Sequence, residues 1–183
     1  MVEETKLTRC FICLEINREA ITEIEEIQQI IKKKKLFYGK LTEPENLHLT
    51  LKFIGEVDEE KIESIKKELE KIKFKRFKVS LGELGSFNDR ILWIKLNGKE
   101  IWELQKLIDN ALEPLGLVKE ERFMSHITIA RMKKVIDRNI FIEYIKNMKH
   151  RPIEFIVKDF CFKKSELKIE GPVYGDLEKY NLE

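Results

Sequence analysis

Two short motifs in the chain carry side chains that can do acid–base chemistry. Of the three histidines in the sequence, His48 and His126 are each followed two positions later by a threonine, Thr50 and Thr128. An imidazole titrates at about pH 6.5, so near neutral pH one ring can accept a proton while a second ring donates one. The two motifs therefore predict a site in which two histidines work as an acid and a base.

Both motifs lie in segments with the alternating pattern of β-strands. In residues 47–54 and 123–131, apolar residues such as Leu49 and Ile127 alternate with polar ones, and in a strand residues i and i+2 share a face. Each histidine therefore shares a face with its threonine, opposite the face that Leu49 or Ile127 turns to the core. One such motif is typical of an ordinary surface strand, whereas two at matching positions indicate a shared site.

The sequence predicts one structural unit that occurs twice. Apolar helix positions of the first half recur 80 residues later, an aspartate before a helix recurs 79 residues later, and the two His-x-Thr motifs are 78 residues apart. Such a series in register indicates an internal duplication. We predict the α+β class, with a duplicated bilobal fold of two β-α-β-α-β lobes whose mainly antiparallel sheets face a central cleft. Residues 1–183 would form a single domain, with lobes at approximately 1–85 and 86–183.

Hydrophobic periodicity places the elements of both copies. Strands are predicted at residues 9–16, 47–54, 74–81, 90–96, 123–131 and 153–162, with an extra hairpin strand at 167–174. Helices are predicted to follow Asn17, Asp58, Asn97 and Asp137, with Asn17 and Asp58 as caps because their side chains can accept hydrogen bonds from the first turn.

Two imidazoles on opposite sides of a cleft suit displacement at phosphorus. In-line displacement takes a proton from the entering oxygen on one side and gives a proton to the leaving oxygen on the other. The hydroxyls of Thr50 and Thr128 can hold the non-bridging phosphate oxygens as charge develops. Two histidines without nearby pairs of carboxylates or thiolates make a poor metal site, so we expect no metal and no cofactor.

The two motifs also resemble a known signature. His48-Leu49-Thr50-Leu51 and His126-Ile127-Thr128-Ile129 resemble the paired His-x-Thr-x motifs of the 2H phosphoesterase superfamily. Further stretches resemble its RNA 2′,3′-cyclic phosphodiesterase branch, also called 2′-5′ RNA ligase-like: residues 9–12, 45–57, 85–87, 92–94, 125–131, 165–167 and 171–174. The family pattern often has proline before the second histidine, where this chain has Ser125, and we expect this difference to change how the strand begins.

The resemblance implies a substrate and two roles. The substrate would be an RNA with a 2′,3′-cyclic phosphate end, or a cyclic nucleotide, hydrolysed to a 2′-phosphate without metal. His48 would donate a proton to the departing O3′, and His126 would accept a proton from water. The repeat by itself leaves the two roles interchangeable. The reverse reaction, 2′-5′ RNA ligation, and a non-catalytic RNA- or nucleotide-binding module are the alternatives.

Two cations are candidate substrate-binding residues. Arg131 matches the arginine that follows the second motif in the family, but strict alternation gives it the parity of Ile127. Either the strand ends or bulges near Ala130, or the side chain reaches round from the cleft edge. Lys52 has the parity of His48 and is the competing cation. Trp93 is expected in the core, with the cleft wall as its alternative; the same holds for the phenylalanine at position 123.

The composition excludes several classes of protein. The chain has 183 residues, 43% hydrophobic and 37% charged, with a formal net charge of +2, and that length can bury a core without disulfides. No apolar run approaches the roughly 18 residues of a membrane span, and the first six residues lack the apolar stretch of a signal peptide. We expect no membrane partner, a monomer and a cytoplasmic location.

Three other features carry predictions of their own. Cys10 and Cys13 have metal-knuckle spacing but stand on opposite faces of an apolar strand, which predicts core packing. The run Lys32–Lys35 suits a helix C-terminus; because aromatic residues including Tyr38 follow it, RNA binding is the alternative. His150 is expected to be exposed and unrelated to catalysis.

Overall fold

The computed structural model describes residues 6–169 and 171–183, so the amino-terminal prediction for residues 1–5 lies outside the described residues. The described residues form nine strands, four α-helices and two short 3₁₀ helices. The strands are β1 Thr8–Glu15, β2 Phe37–Leu41, β3 His48–Val57, β4 Phe77–Phe87, β5 Ile91–Asn97, β6 His126–Val135, β7 Glu154–Val157, β8 Asp159–Lys168 and β9 Gly171–Asn181. The helices are α1 Arg18–Lys34, α2 Glu59–Glu70, α3 Lys99–Leu112 and α4 Arg138–Asn147.

All nine strands join one antiparallel sheet. Its order is β7-β4-β5-β6-β3-β1-β8-β9, and β2 pairs with β6 beyond the point where β6 leaves β3. The β1–β3 pair of the first half is repeated by the β5–β6 pair of the second, and β8 lies beside β1 as β4 lies beside β5. The predicted α+β class and duplicated architecture are confirmed, although the two copies are joined through β3 and β6 into one sheet.

Two strands near opposite ends of the sheet are consecutive in the chain, which requires the sheet to curl. Lys158 alone separates β7 from β8, although these strands pair with β4 and β1 respectively. The predicted single strand at 153–162 is therefore wrong, since its two parts join different ends of the sheet. Strand pairing also crosses the boundary near residue 85 that the repeat suggested, because β4 pairs with β5 and β8 pairs with β1.

The helices begin where local chemistry predicts. The side chains of Asn17, Asp58 and Asp137 each accept a hydrogen bond from the backbone N–H three residues later, which caps α1, α2 and α4. Such caps are typically worth about 1 kcal/mol. Helix α3 differs, because Gly98 lies at its cap position and no side chain caps it. Asn97 is the last residue of β5.

The two faces of the sheet are packed differently. One face carries the main hydrophobic core, formed with the apolar stripes of the helices, for example Ile24, Ile27 and Ile31 of α1. The other face carries a small cluster of Phe11 and two cysteines, against which Tyr174 packs. That second face holds the candidate site.

No helix within the described ranges is both long enough and apolar enough to cross a membrane. The cytoplasmic location and the monomeric state stay predictions.

Candidate active site

The pairing of β3 with β6 brings the two motifs together. Leu49 and Ile127 are cross-strand partners, and both are fully buried against the helices. Because side chains alternate along a strand, the residues on either side of this pair point to the opposite face. Continuing the antiparallel register by one residue sets His48 opposite Thr128 and His126 opposite Thr50, on strands whose facing Cα atoms are about 4.5–5.5 Å apart. The four side chains thus lie side by side on one face.

Both imidazoles are held by the same backbone contact. Nδ1 of His48 lies 2.8 Å from the carbonyl oxygen of Asn46, and Nδ1 of His126 lies 2.8 Å from the carbonyl oxygen of Met124. A carbonyl oxygen only accepts hydrogen bonds, so each Nδ1 carries the proton and donates it. In the neutral rings Nε2 therefore holds a lone pair, which is the form that accepts a proton.

The first ring is enclosed. His48 packs against the rings of Phe11 and Tyr174 at centroid distances of 5.0 and 5.2 Å, and its Nε2 accepts a hydrogen bond from the Thr50 hydroxyl at 3.1 Å. Burial, with a smaller contribution from the nearby positive charge of Lys163, lowers the pKa of His48 from 6.5 to about 4. His48 is therefore neutral at pH 7 when no ligand is bound.

The second ring has other neighbours. His126 lies 5.0 Å from the ring of Phe87 and 6.5 Å from that of Trp93, so Trp93 lines the site. The indole of Trp93 crosses over Gly85. A Cβ at this position would lie 2.2 Å from a ring carbon, so glycine is needed there. Across the described ranges, no hydrogen bond reaches Nε2 of His126. Phe123 instead packs against the indole of Trp102, with 5.9 Å between the ring centroids.

A bulge follows each motif at the same place. Thr50 and Lys52 are partners of consecutive residues on β1, so the residue between them is extra. In the same way Thr128 and Ala130 are partners of consecutive residues on β5. An extra residue shifts the alternation by one. Beyond each bulge, the residues that point to the motif's face are therefore not those that strict alternation predicts.

The bulge turns Arg131 toward the histidines' face. Its neighbours Ala130 and Met132 are buried in the core, whereas Arg131 is exposed. Of the alternatives for Arg131, the bulge near Ala130 is the one present. Arg131 has no ion pair or side-chain hydrogen bond with any residue described. Burial raises the pKa of Tyr174, and the positive charge of Arg131 partly opposes this rise.

The same shift removes Lys52 from the site. Lys52 is 4% exposed, and its Nζ donates to the carboxylate of Asp109 at 2.5 Å and to the carbonyl oxygen of Val118 at 2.6 Å. The prediction that Lys52 contacts substrate is wrong, because it assumed unbroken alternation. The residue equivalent to Arg131 is Phe53, which is 60% exposed and lies 6.2 Å from the ring of Phe11. Phe53 was missed, and only the bulge identifies it.

Ser125 fixes the start of the second motif. Its side chain is fully buried, and its hydroxyl donates to the carbonyl oxygen of Leu96 on β5 at 2.5 Å. The serine at this position thus ties β6 to β5 immediately before His126.

The other candidates lie away from the histidines. Cys10 and Cys13 are both buried and belong to separate clusters on the two faces, as predicted. His150 contacts the carbonyl oxygens of Gly82 and Arg151, each at 2.8 Å. Depressions of about 470 and 410 Å³ lie between α2 and β9 and beside the β3–α2 turn, and neither is lined by a His-x-Thr motif.

One group among the described residues has the geometry of a metal site. The carboxylates of Glu15 and Asp159 and the thiol of Cys161 lie within 4.8 Å of one another. Both carboxylates already face ammonium groups, since Lys163 and Lys179 approach Glu15 at 2.7 and 2.8 Å and Lys179 lies 3.7 Å from Asp159. The group includes neither histidine.

Comparison with known proteins finds a family and several relatives. The family described as LigT like Phosphoesterase matches residues 14–93 and again residues 95–174, once for each copy of the repeat. A Methanocaldococcus jannaschii protein named RNA 2′,3′-cyclic phosphodiesterase is 33% identical over 94% of this chain and 99% of its own length. A protein of the same name from Archaeoglobus fulgidus is 36% identical over 85% and 92%. A crystal structure from Thermus thermophilus, 26% identical, has a TM-score of 0.81 over 94% and 97%.

Proposed function

Because the chain belongs to the LigT-like phosphoesterase family, as the paired motifs predicted, we propose that it hydrolyses the 2′,3′-cyclic phosphate of an RNA end or nucleotide to a 2′-phosphate. The relatives from Methanocaldococcus jannaschii and Archaeoglobus fulgidus carry the name of this activity. One observation carries the proposal. Two imidazoles with their Nδ1 atoms tied to carbonyl oxygens lie on one face of paired strands, so that two Nε2 atoms are available to a single phosphate.

The proposed step is an in-line displacement. His126 Nε2 accepts a proton from water as the water oxygen bonds to phosphorus, and His48 Nε2 gives a proton to O3′ as the P–O3′ bond breaks. The hydroxyls of Thr50 and Thr128 donate to the non-bridging oxygens, and Arg131 binds the phosphate or the ribose. The two proton transfers use only the imidazoles.

The donor role requires that His48 gain a proton with the substrate. Its pKa of about 4 leaves the free ring neutral at pH 7, and a neutral ring with Nδ1 as its donor cannot give a proton from Nε2. An anionic phosphate beside a histidine favours the charged ring and raises its pKa. We therefore propose that binding of the anionic cyclic phosphate is accompanied by uptake of one proton from solvent, which protonates His48 at Nε2.

A substrate whose leaving atom needs no proton tests the two roles. In a 2′,3′-cyclic phosphorothiolate, sulfur replaces O3′ and leaves as a thiolate, since thiols ionise near pH 8.5. We expect His48→Ala to lose about 10²–10⁴-fold in kcat on the oxygen substrate and far less on the sulfur one. The matched variant His126→Ala should lose activity on both, because water still needs a base.

The same assay contains the outcomes against the proposal. Full activity of either variant on the oxygen substrate would exclude the histidine pair as the acid and base. Activity that EDTA abolishes would contradict the metal-independent mechanism. If the wild-type protein binds the cyclic nucleotide without turnover, it is a binding module, and if an added RNA 5′-hydroxyl replaces water, the reaction is ligation.

A further inference from the structure

A row of cations leads away from the histidines along one strand. Arg131, Lys133 and Lys134 of β6, together with Tyr38 of β2, form what we call the basic strip, and all four are exposed. We infer that the basic strip, which begins with Arg131 at the cyclic phosphate, continues through Lys133 and Lys134 to bind the ribose–phosphate chain on the 5′ side, so that the preferred substrate is an RNA oligonucleotide. The inference rests on the proposed function and adds the part of the substrate beyond its terminal nucleotide.

Strand pairing shows that the basic strip lies on the histidines' face. Tyr38 is the partner of Lys134, and a second irregularity beside it leaves Lys133 as the extra residue. The neighbours of these two partners, Phe37 and Val135, pack against the core, and the ring of Phe37 contacts that of Phe141 on α4. Tyr38 and Lys134 therefore point away from the helices, as the histidines do, and Tyr38 is 63% exposed.

The basic strip extends beyond the terminal phosphate. Lys134 lies six positions after Thr128, and at about 3.3 Å per position, less the bulges, this spans roughly 15–20 Å. A phosphate held between the histidines does not reach Lys134 over this distance. Any phosphate bound there belongs to another nucleotide of the same chain.

Two acidic groups near the basic strip, Glu43 and Asp89, are already paired. Glu43 lies 2.5 Å from Nζ of Lys40, the partner of Arg131 on β2, and Asp89 lies 2.9 Å from Nε of Arg138. The guanidinium of Arg90 donates to the carbonyl oxygen of Lys133 at 3.1 Å, which adds another positive charge beside the strip. A polyanion would therefore meet excess positive charge along this edge of the sheet.

The other copy of the repeat lacks the basic strip. The positions on β3 that match Arg131, Lys133 and Lys134 are Phe53, Gly55 and Glu56. Arg9 lies near them, over the ring of Phe53 at 5.7 Å and as the cross-strand partner of Glu56. The duplicated site thus has a cationic side and an aromatic side. A directional polymer needs such a difference, because its phosphates must leave the site on one side only.

An exposed tyrosine among cations completes the resemblance to a single-strand binding surface. Proteins that bind single-stranded nucleic acid combine positive charges that follow the backbone with aromatic rings on which bases stack. Tyr38 lies beside Lys134 and offers such a ring, whereas the adjacent Phe37 is turned inward and does not.

The test compares two substrates that share the reacting group. We would measure kcat and KM on adenosine 2′,3′-cyclic monophosphate and on an adenosine hexaribonucleotide ending in a 2′,3′-cyclic phosphate, over a series of KCl concentrations. In the double variant Lys133→Ser/Lys134→Ser we expect KM for the hexaribonucleotide to rise roughly tenfold at low salt. The slope of log KM against log KCl concentration should fall by about 1.4, because each of the two lost phosphate contacts contributes about 0.7 on a single strand. Neither kcat nor the mononucleotide parameters should change.

A matched control removes the same charge elsewhere. Lys73 and Lys75 are exposed in the segment between α2 and β4, and Lys73→Ser/Lys75→Ser should leave both substrates unaffected. An unchanged KM for the hexaribonucleotide in the basic-strip variant, an equal change on the mononucleotide, or an equal change in the control would each overturn the inference.

Failure of the proposed function would appear separately. If the wild-type protein turned over neither substrate, hydrolysis would be wrong, whereas the basic strip would still be tested by fluorescence anisotropy with a labelled hexaribonucleotide ending in a 2′-phosphate. Weaker binding by the Lys133→Ser/Lys134→Ser variant than by the control would support the basic strip, and equal binding would overturn it.

Discussion

Strands β3 and β6 hold their histidines in the same way and then surround them differently. Each ring donates from Nδ1 to a carbonyl oxygen two residues earlier, and each motif is followed by a bulge at the same position. Beyond the bulge, β3 presents Phe53 and β6 presents Arg131. The matching contacts of the two histidines supply two proton carriers in the same geometry. The residues beyond the bulges differ, so a phosphate bound between the histidines has a cation on one side and an aromatic ring on the other.

The supports under the two bulges also differ. The amide of Gln28 on α1 donates to the carbonyl oxygens of Thr42 and Ile129, each at 2.8 Å, and so ties the segment before the first motif to the bulge of β6. Under the bulge of β3, the ammonium of Lys52 donates to Val118 before the second motif and to Asp109 on α3. Each bulge is therefore linked to the segment that precedes the other histidine. The bulge of β6 is linked through the neutral amide of Gln28, and the bulge of β3 through the buried ammonium of Lys52.

The largest predicted effect concerns this ion pair. Lys52→Met leaves the carboxylate of Asp109 buried without its cation, which typically costs about 3–5 kcal/mol of unfolding free energy. Gln28→Leu removes a donor from two carbonyl oxygens, of which that of Ile129 still accepts from the backbone N–H of Thr42, and it leaves no buried charge, so its loss should be smaller, about 1–3 kcal/mol. Urea denaturation of both variants measures the difference.

The double variant Lys52→Met/Asp109→Leu is the control for the first prediction. It removes both charges and should recover part of the lost stability, because the unpaired carboxylate is gone. Equal losses in Lys52→Met and Gln28→Leu would show that the two supports are energetically equivalent after all.

A second prediction concerns the pH dependence of stability. The pKa of His48 falls from about 6.5 in the unfolded chain to about 4 in the folded protein. The unfolded state therefore binds the proton first as the pH falls, and the stabilisation present above pH 6.5 is lost progressively toward pH 4. Between pH 7 and pH 5 this loss amounts to at most about 2 kcal/mol.

The variant His48→Gln isolates that contribution. Its side chain does not titrate, so the variant should lose less stability than the wild type over the same interval, when unfolding free energies are compared at pH 7 and pH 5. The same loss in both proteins would mean that the enclosed ring does not resist protonation.

Local signals predicted more of this molecule than distant ones did. The caps at Asn17 and Asp58 depend on residues three positions away, and the sequence placed both. Strand β2 was not predicted, because it forms by pairing with β6, some ninety residues later in the chain; Lys40, for example, pairs with Arg131. Nothing near Lys158 signals that the chain there changes from one end of the sheet to the other.

The candidate site divides in the same way. Alternation predicted which face holds His48 and Thr50, because no irregularity intervenes between them. It failed at Lys52, since a bulge is set by the pairing with β1 and leaves no mark in the sequence of β3 itself. The lowered pKa of His48 could not be predicted from the sequence either, because the residues that enclose the ring, Phe11 and Tyr174, belong to other strands.

The smallest predicted effect tests the exchange of a cation for an aromatic ring beyond the two bulges. Arg131→Gln should raise KM for a 2′,3′-cyclic nucleotide by about tenfold, or ~1.4 kcal/mol, because the guanidinium contributes charge to binding in the ground state and the transition state alike. The value of kcat should hold, since neither proton passes through Arg131. Phe53→Gln, the matched change on β3, removes no charge and should alter KM less. If Phe53→Gln raised KM more than Arg131→Gln, the phosphate would depend on the aromatic side of the site, and the assignment of the cationic side to phosphate binding would be reversed.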